Sequence, residues 1–153
     1  MQSKVFIKNK RVRFDYELLD QFVAGIVLAG TEIKSLREGK ASLNQSFCEF
    51  NERGELFVVN MQIDEYTHAG YSNHLPKASR KLLLQKRELQ KLRKQVATTG
   101  LTIVPLNLFI NERGWAKLTV ALARGKKQYD KRETIKERDT KKDLDRLKKR
   151  FNN

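Results

Sequence analysis

The chain has 153 residues, room for one domain with about 110 residues of core-forming sequence once its polar ends are set aside. No segment approaches the roughly 20 apolar residues of a membrane span, and Met1 to Lys8 lack the apolar run of a signal peptide, so neither a membrane-embedded nor an exported protein is expected. Lys and Arg number 32 against 18 Asp and Glu, a formal charge of +14, and cations in such excess suit a polyanion, with nucleic acid the first candidate.

Residues 1–13 carry five cations and no anion, a basic N-terminal arm. Tyr16 to Leu28 then favours an extended strand, with Gly25 as a bend or bulge. Thr31 can cap a short helix through Arg37, with Ile33 and Leu36 inward and Gly39 as its stop. Two short strands follow, around Ser46 to Phe50 and Leu56 to Met61, joined by Asn51-Glu52-Arg53-Gly54, whose Asn and Gly accept the backbone a hairpin turn needs. Cys48, the single cysteine, cannot form an intramolecular disulfide; flanked by Phe47 and Phe50, it is expected inside the protein, in keeping with a reducing cytoplasm.

Lys77 to Thr98 reads as one long helix after Pro76, with Leu82, Leu89, Leu92 and Val96 as its apolar stripe and Gly100 past its end. Its other faces carry Arg80, Lys81, Lys86, Arg87, Lys91, Arg93 and Lys94. Eight cations against one anion in residues 77–94 exceed what a solvated face needs, so RNA contact is expected there. The tetrapeptide recurs as Asn111-Glu112-Arg113-Gly114 between the alternating runs Leu101 to Ile110 and Trp115 to Ala123, a second hairpin. Trp115, at the start of a strand, is expected to pack rather than to offer a stacking platform.

From Arg124 to Asn153 there are thirteen cations and six anions, while residues 14–76 carry four cations and ten anions. Basic charge is thus gathered in the arm, the helix and the tail. The tail's apolar residues, Ile135, Leu144, Leu147 and Phe151, are too few for autonomous folding, so it is expected to be disordered when free and to become helical on a partner. The whole pattern suggests an all-β core with helices: an antiparallel oligonucleotide-binding-type β-barrel over residues 14–124, one long and one short helix, and a basic C-terminal tail over 125–153.

Catalytic and metal constellations are not expected. His68 and His74 are the only histidines, one cysteine cannot make a zinc cluster, and no phosphate loop or dinucleotide fingerprint occurs. Asp15, Glu17 and Asp20 could be imagined around a metal, but in an extended strand Asp20 points away from the other two, and a solvated edge partnering basic residues is the plainer reading. No enzyme, cofactor or metal is expected.

Asn9-Lys10-Arg11, Ala24-Gly25-Ile26-Val27-Leu28, Gly30-Thr31-Glu32-Ile33-Lys34-Ser35-Leu36-Arg37, Asn60-Met61, Ser79-Arg80-Lys81-Leu82-Leu83-Leu84 and the block Gly125 to Arg132 occur here in one order and spacing over nearly the whole chain. In this the chain closely resembles the small protein B (SmpB) family, the bacterial tmRNA-binding proteins of trans-translation. The resemblance implies a cytoplasmic, non-enzymatic adaptor. It would bind the tRNA-like domain of tmRNA, deliver it to stalled ribosomes, and insert its tail in the empty decoding centre and mRNA channel. It further implies Asn9, Lys10, Arg11, Lys34, Arg37, Arg80 and Lys81 on or near the tmRNA-binding surface. Gly125, Lys126, Lys127, Tyr129, Asp130, Lys131 and Arg132 would belong to the ribosome-facing element. No membrane or DNA partner is implied. The chain departs from the family at Phe14, often His, at Val23, commonly a Glu linked to RNA binding, and at Tyr129, often His, where an aromatic ring preserves stacking on rRNA. The alternative reading is a ribosomal or rRNA-assembly protein, another basic barrel with a tail.

Overall fold

Both Asn-Glu-Arg-Gly tetrapeptides close hairpins by the same chemistry. The Asn51 carboxamide oxygen accepts from the N–H groups of Arg53 and Glu55, and that of Asn111 accepts from Arg113 and Trp115. Gly54 and Gly114 then take positive φ, 78° and 83°, which only glycine adopts freely. The computed structural model describes residues 5–69, 72–98 and 100–126. In chain order these hold β1 (Phe6–Lys8), α1 (Val12–Asp15), β2 (Tyr16–Ile26), α2 (Gly30–Arg37), β3 (Ala41–Ser42), β4 (Phe47–Phe50) and β5 (Leu56–Val59). There follow β6 (Gln62–Ile63), β7 (Arg80–Leu83), α3 (Lys86–Val96), β8 (Leu101–Ile110) and β9 (Ala116–Gly125).

Seven strands form one antiparallel sheet in the order β1-β8-β4-β5-β7-β2-β9, and β8 also pairs with β9, while β3 and β6 form a separate small pair. Alternating side chains point inward into one core, which includes Ala24, Ile26, Cys48, Leu56, Val58, Leu82, Leu118, Val120 and Leu122. Burial without a charged partner raises the Cys48 thiol far above its ordinary range, so it is a packing residue and not a nucleophile. Outside the sheet, Val12 on α1 covers a second cluster made by Val104, Leu106, Ala121 and Ala123.

Several expectations are corrected here. The helix predicted over Lys77 to Thr98 begins only at Lys86. Arg80–Leu83 is a strand paired with β5 and β2, with Arg80 and Leu82 inward and Lys81 and Leu83 outward. The Leu82–Leu89 spacing that looked like a heptad therefore spans a strand and a helix. Leu92, with Leu89 and Val96 beside it, remains the inner face of α3. Thr31 lies inside α2 and does not cap it; the Ala29 N–H is instead held by the Glu32 carboxylate at 2.9 Å. The irregularity in β2 falls between Leu18 and Gln21, not at Gly25. Residues 6–8, placed in the arm by their charge, form a strand on β8.

Arg80 is only 3% exposed. Its guanidinium donates to Glu32 from Nε, to the Met61 carbonyl from Nη1 at 2.6 Å and to the Pro76 carbonyl from Nη2 at 3.0 Å. His74 adds a parallel tie: its Nε2 meets the Ile63 carbonyl and its Nδ1 the Thr31 hydroxyl, each at 2.9 Å. A carbonyl only accepts, so Nε2 carries the proton and, in the neutral ring, Nδ1 accepts from Thr31. Replacing Arg80 by Ala leaves the Glu32 carboxylate buried without its partner and is expected to cost about 3–5 kcal/mol. Chemical denaturation measures this, and a loss below about 1 kcal/mol would show that the pair is not buried in solution.

Candidate nucleic-acid interface

Strand register decides which side chains share the outer face of the sheet. Phe6 lies opposite Phe109, Phe109 opposite Lys117, Lys117 opposite Gly25, and Gly25 opposite Leu83, so one row crosses five strands. A second row sets Lys8 against Asn107, Asn107 against Thr119 and Thr119 against Val23. Phe6, Val23 and Leu83 are each more than half exposed, and so is Trp115 at 67%. Large apolar groups are thus held in water along a surface that also carries cations, the usual composition of a binding surface.

At the hairpin-turn end of this face a groove of about 490 Å³ opens between Trp115, Lys117, Val27, Ile33, Arg37 and Leu83. Gly25 forms its floor. A Cβ there would stand 3.4 Å from the Leu83 Cβ, in van der Waals contact with that side of the groove. Among the described residues Arg37 and Lys117 form no ion pair. Lys34, also on α2, sits 5.5 Å from the centre of the Tyr66 ring. Lys81 projects from the outer side of β7 and is held by Glu55 at 2.6 Å. A hydrogen bond from Asn51, seconded by Lys81, keeps that carboxyl below its ordinary range.

A second surface lies at the other end of the β8–β9 hairpin. A cleft of about 730 Å³ is lined by Asn9, Lys10, Arg11, Asn44, Gln45 and Phe47, among others. Asn9 is fixed by its backbone N–H on the Leu106 carbonyl and its carboxamide on the Pro105 carbonyl. Arg11 lies 5.4 Å from the Phe14 ring and 3.8 Å from Asp15. The chain leaves the sheet beside this cleft: Gly125 pairs with Tyr16, and the Lys126 N–H donates to the Asp15 carbonyl. Gly125 lies eight residue steps along β9 from Lys117, roughly 26 Å of extended chain.

The seven residues expected on one RNA surface are therefore dispersed. Arg37 lines the groove and Lys34 shares its helix, Lys81 is paired beside it, and Asn9, Lys10 and Arg11 stand by the tail exit. Arg80 is inside the protein, where inward register on β7 puts it, and cannot touch a ligand on the surface. Trp115, expected to pack, is exposed. The alternation that sends Leu118, Val120 and Leu122 inward sends Thr119, Lys117 and Trp115 outward, so strand parity was the signal that marks it. Val23 and Leu83 follow from the same parity. Asp15, Glu17 and Asp20 each face a separate cation, Arg11, Arg124 and Lys91, at 3.8 to 3.9 Å. Lys127, Tyr129, Asp130, Lys131 and Arg132, with the tail's expected order on binding, lie outside the described residues.

What the fold and these surfaces define is a small basic sheet protein with two separate concave surfaces, each lined by cations and aromatic rings. The SmpB protein family model matches residues 6–150. The chain is 60% identical over 151 residues to the SsrA-binding protein of Christiangramia forsetii, covering 99% of this chain and 96% of that one. To its counterpart in Bacteroides thetaiotaomicron it is 59% identical, covering 97% and 99%. A solved chain from work described as "tmRNA-SmpB: a journey to the center of the bacterial ribosome" superposes with a TM-score of 0.69 at 46% identity, over 86% of this chain and 94% of that one. The chain belongs to the SmpB family.

Trp115 is the only tryptophan, so intrinsic fluorescence reads the groove directly. The free protein is expected to emit as a solvated indole and to be quenched readily by iodide. A blue-shifted emission that resists iodide would mean the groove is closed in solution.

Proposed function

We propose that this protein is a tmRNA-binding adaptor of trans-translation, active in the cytoplasm where bacterial ribosomes work. The observation that carries the reading is the separation of two basic surfaces at opposite ends of one hairpin, in a chain whose relatives are SsrA-binding proteins. The strand pairing that returns from β9 to β8 is read as an oligonucleotide-binding-type barrel, body of a protein divided into arm 1–13, barrel 14–124 and tail 125–153.

The aromatic groove, with Trp115, Lys117 and Arg37, docks the tRNA-like domain of tmRNA. A rigid sheet suits a folded RNA elbow, whose splayed bases stack on exposed rings while lysine and arginine meet phosphates. Lys34 and Lys81 stand beside this surface and add charge. Asn9, Lys10 and Arg11 belong in this reading with the ribosome-facing end, because they share the cleft from which residues 125 and 126 depart. From there Gly125, Lys126, Lys127, Tyr129, Asp130, Lys131 and Arg132 lead into the decoding centre, and the rest of the tail follows the mRNA channel of a ribosome that has run out of message. A channel already holding mRNA would exclude the tail, which makes its vacancy the signal. Phe at position 14, where the family often has His, places a ring under Arg11, and Val23 replaces a carboxylate by an apolar contact on the groove side.

Deleting residues 127–153 is expected to leave folding and affinity for the tRNA-like domain within about two-fold and to abolish tagging of stalled products. Equal loss of both activities would sink the division of surfaces. Affinity of the body should fall steeply with salt as phosphate contacts release counterions. Recovery of rRNA without tmRNA in pull-downs would favour a ribosomal or rRNA-assembly protein.

A further inference from the structure

We propose that the RNA surface continues beyond the groove onto an aromatic platform at the edge of the sheet, where Phe6 stacks on an unpaired base and Lys8 meets the adjoining phosphate. The inference rests on the RNA-binding reading above and extends it by two strands. Phe6 and Phe109 are cross-strand partners with ring centres 6.3 Å apart and planes 31° from parallel. Phe6 is nevertheless 53% exposed, so about half of it meets solvent even with Phe109 beside it and Lys8 Nζ above its ring. Burial of Phe6 against its neighbour is therefore not enough to explain an aromatic at this position.

Lys8 lies two residues along the same strand, on the same side, with Nζ 5.8 Å from the Phe6 ring centre. Lys117 follows Phe109 in the row. At about 4.8 Å between strands, Phe6 to Leu83 spans roughly 19 Å, the length of several nucleotides laid across the sheet. Neither outer row contains a carboxylate: the first holds Phe6, Phe109, Lys117, glycine and Leu83, and the second is equally free of acids. An exposed ring among cations, with no anion in either row, complements unpaired RNA. Rings accept any base because each base has a π face, while lysines follow the backbone. A duplex would meet this surface through phosphates alone and would be indifferent to the ring.

The test uses the full chain and a transcript of the tRNA-like domain of tmRNA. Ultraviolet irradiation of the wild-type complex, followed by mass spectrometry, is expected to place nucleotide adducts on Phe6 or Phe109 as well as on Trp115. In anisotropy titrations Phe6→Leu should weaken binding about five-fold or more, and Phe6→Tyr should stay within about two-fold. Thermal melts establish that each variant is folded, and the crosslink needs no variant. Adducts confined to Trp115, or a Phe6→Leu protein that binds as well as wild type, would overturn the platform. If Trp115→Ala still weakens binding in that case, the groove reading survives alone. If the wild-type chain fails to hold the transcript, both readings fall.

Discussion

The interaction on which the rest depends is the buried contact between Arg80 and Glu32. A guanidinium has five donors and no acceptor, so enclosing it requires several oxygen atoms in fixed places. Here they come from the Glu32 carboxylate and from the carbonyls of Met61 and Pro76, and the other Glu32 oxygen holds the first turn of α2. Three stretches far apart in the chain are thereby set against one another. Such a pair gains little net stability over well-packed apolar residues, because both charges must be desolvated. Its effect is on position. With α2 located, Ile33 and Arg37 stand at the rim of the groove, and β7 presents Leu83 on the other side of Gly25.

The difference between the two ends of the β8–β9 hairpin has an equally local cause. Irregularities in β2, between Leu18 and Gln21, and in β8, between Pro105 and Asn107, both fall beside the middle of β9. Toward Gly125 the outer side is covered: Ala121 and Ala123 are small enough to let Val12 of α1 approach and make a second apolar cluster. Toward Ala116 no comparable cluster lies on the outer side among the described residues, and Val23 is more than half exposed. Bulges commonly redirect strands near functional surfaces. In this protein a pair of them separates a sealed half of the hairpin, where the chain departs, from an open half, where the groove lies.

Much of this was legible in the sequence. The repeated tetrapeptide gave both hairpins, because an Asn carboxamide and a glycine at those offsets satisfy the turn by themselves. The bounds of β8 follow from its alternation and its flanking turn. What failed depended on partners remote in sequence. Leu82 has helical spacing to Leu89, yet the sheet supplies hydrogen-bonding edges on both sides of Arg80–Leu83, and tertiary pairing overrides local pattern. Arg80 looked like a surface cation because nothing local reveals that Glu32 and two carbonyls surround it. The family motifs brought forward candidate residues but not the faces they occupy. Register alone distinguishes Lys81, outward, from Arg80, inward.

The uneven charge of the chain follows the same division. Residues 14–76 are net acidic, and among the described residues several of their carboxylates are answered by single cations: Glu17 by Arg124, Asp20 by Lys91, Glu55 by Lys81 and Glu32 by Arg80. These pairings neutralise parts of the body that need not attract RNA. Arg37 and Lys117 form none among the described residues, so their fields act outward, over an apolar groove whose lower polarisability screens them less than water does. An RNA approaching the body therefore meets cations that are paired in some places and open in others, and orientation follows from where the open ones stand. Uniform basicity would bind RNA just as strongly but without a preferred face. A preferred face requires that the acidic residues be present as much as the basic ones.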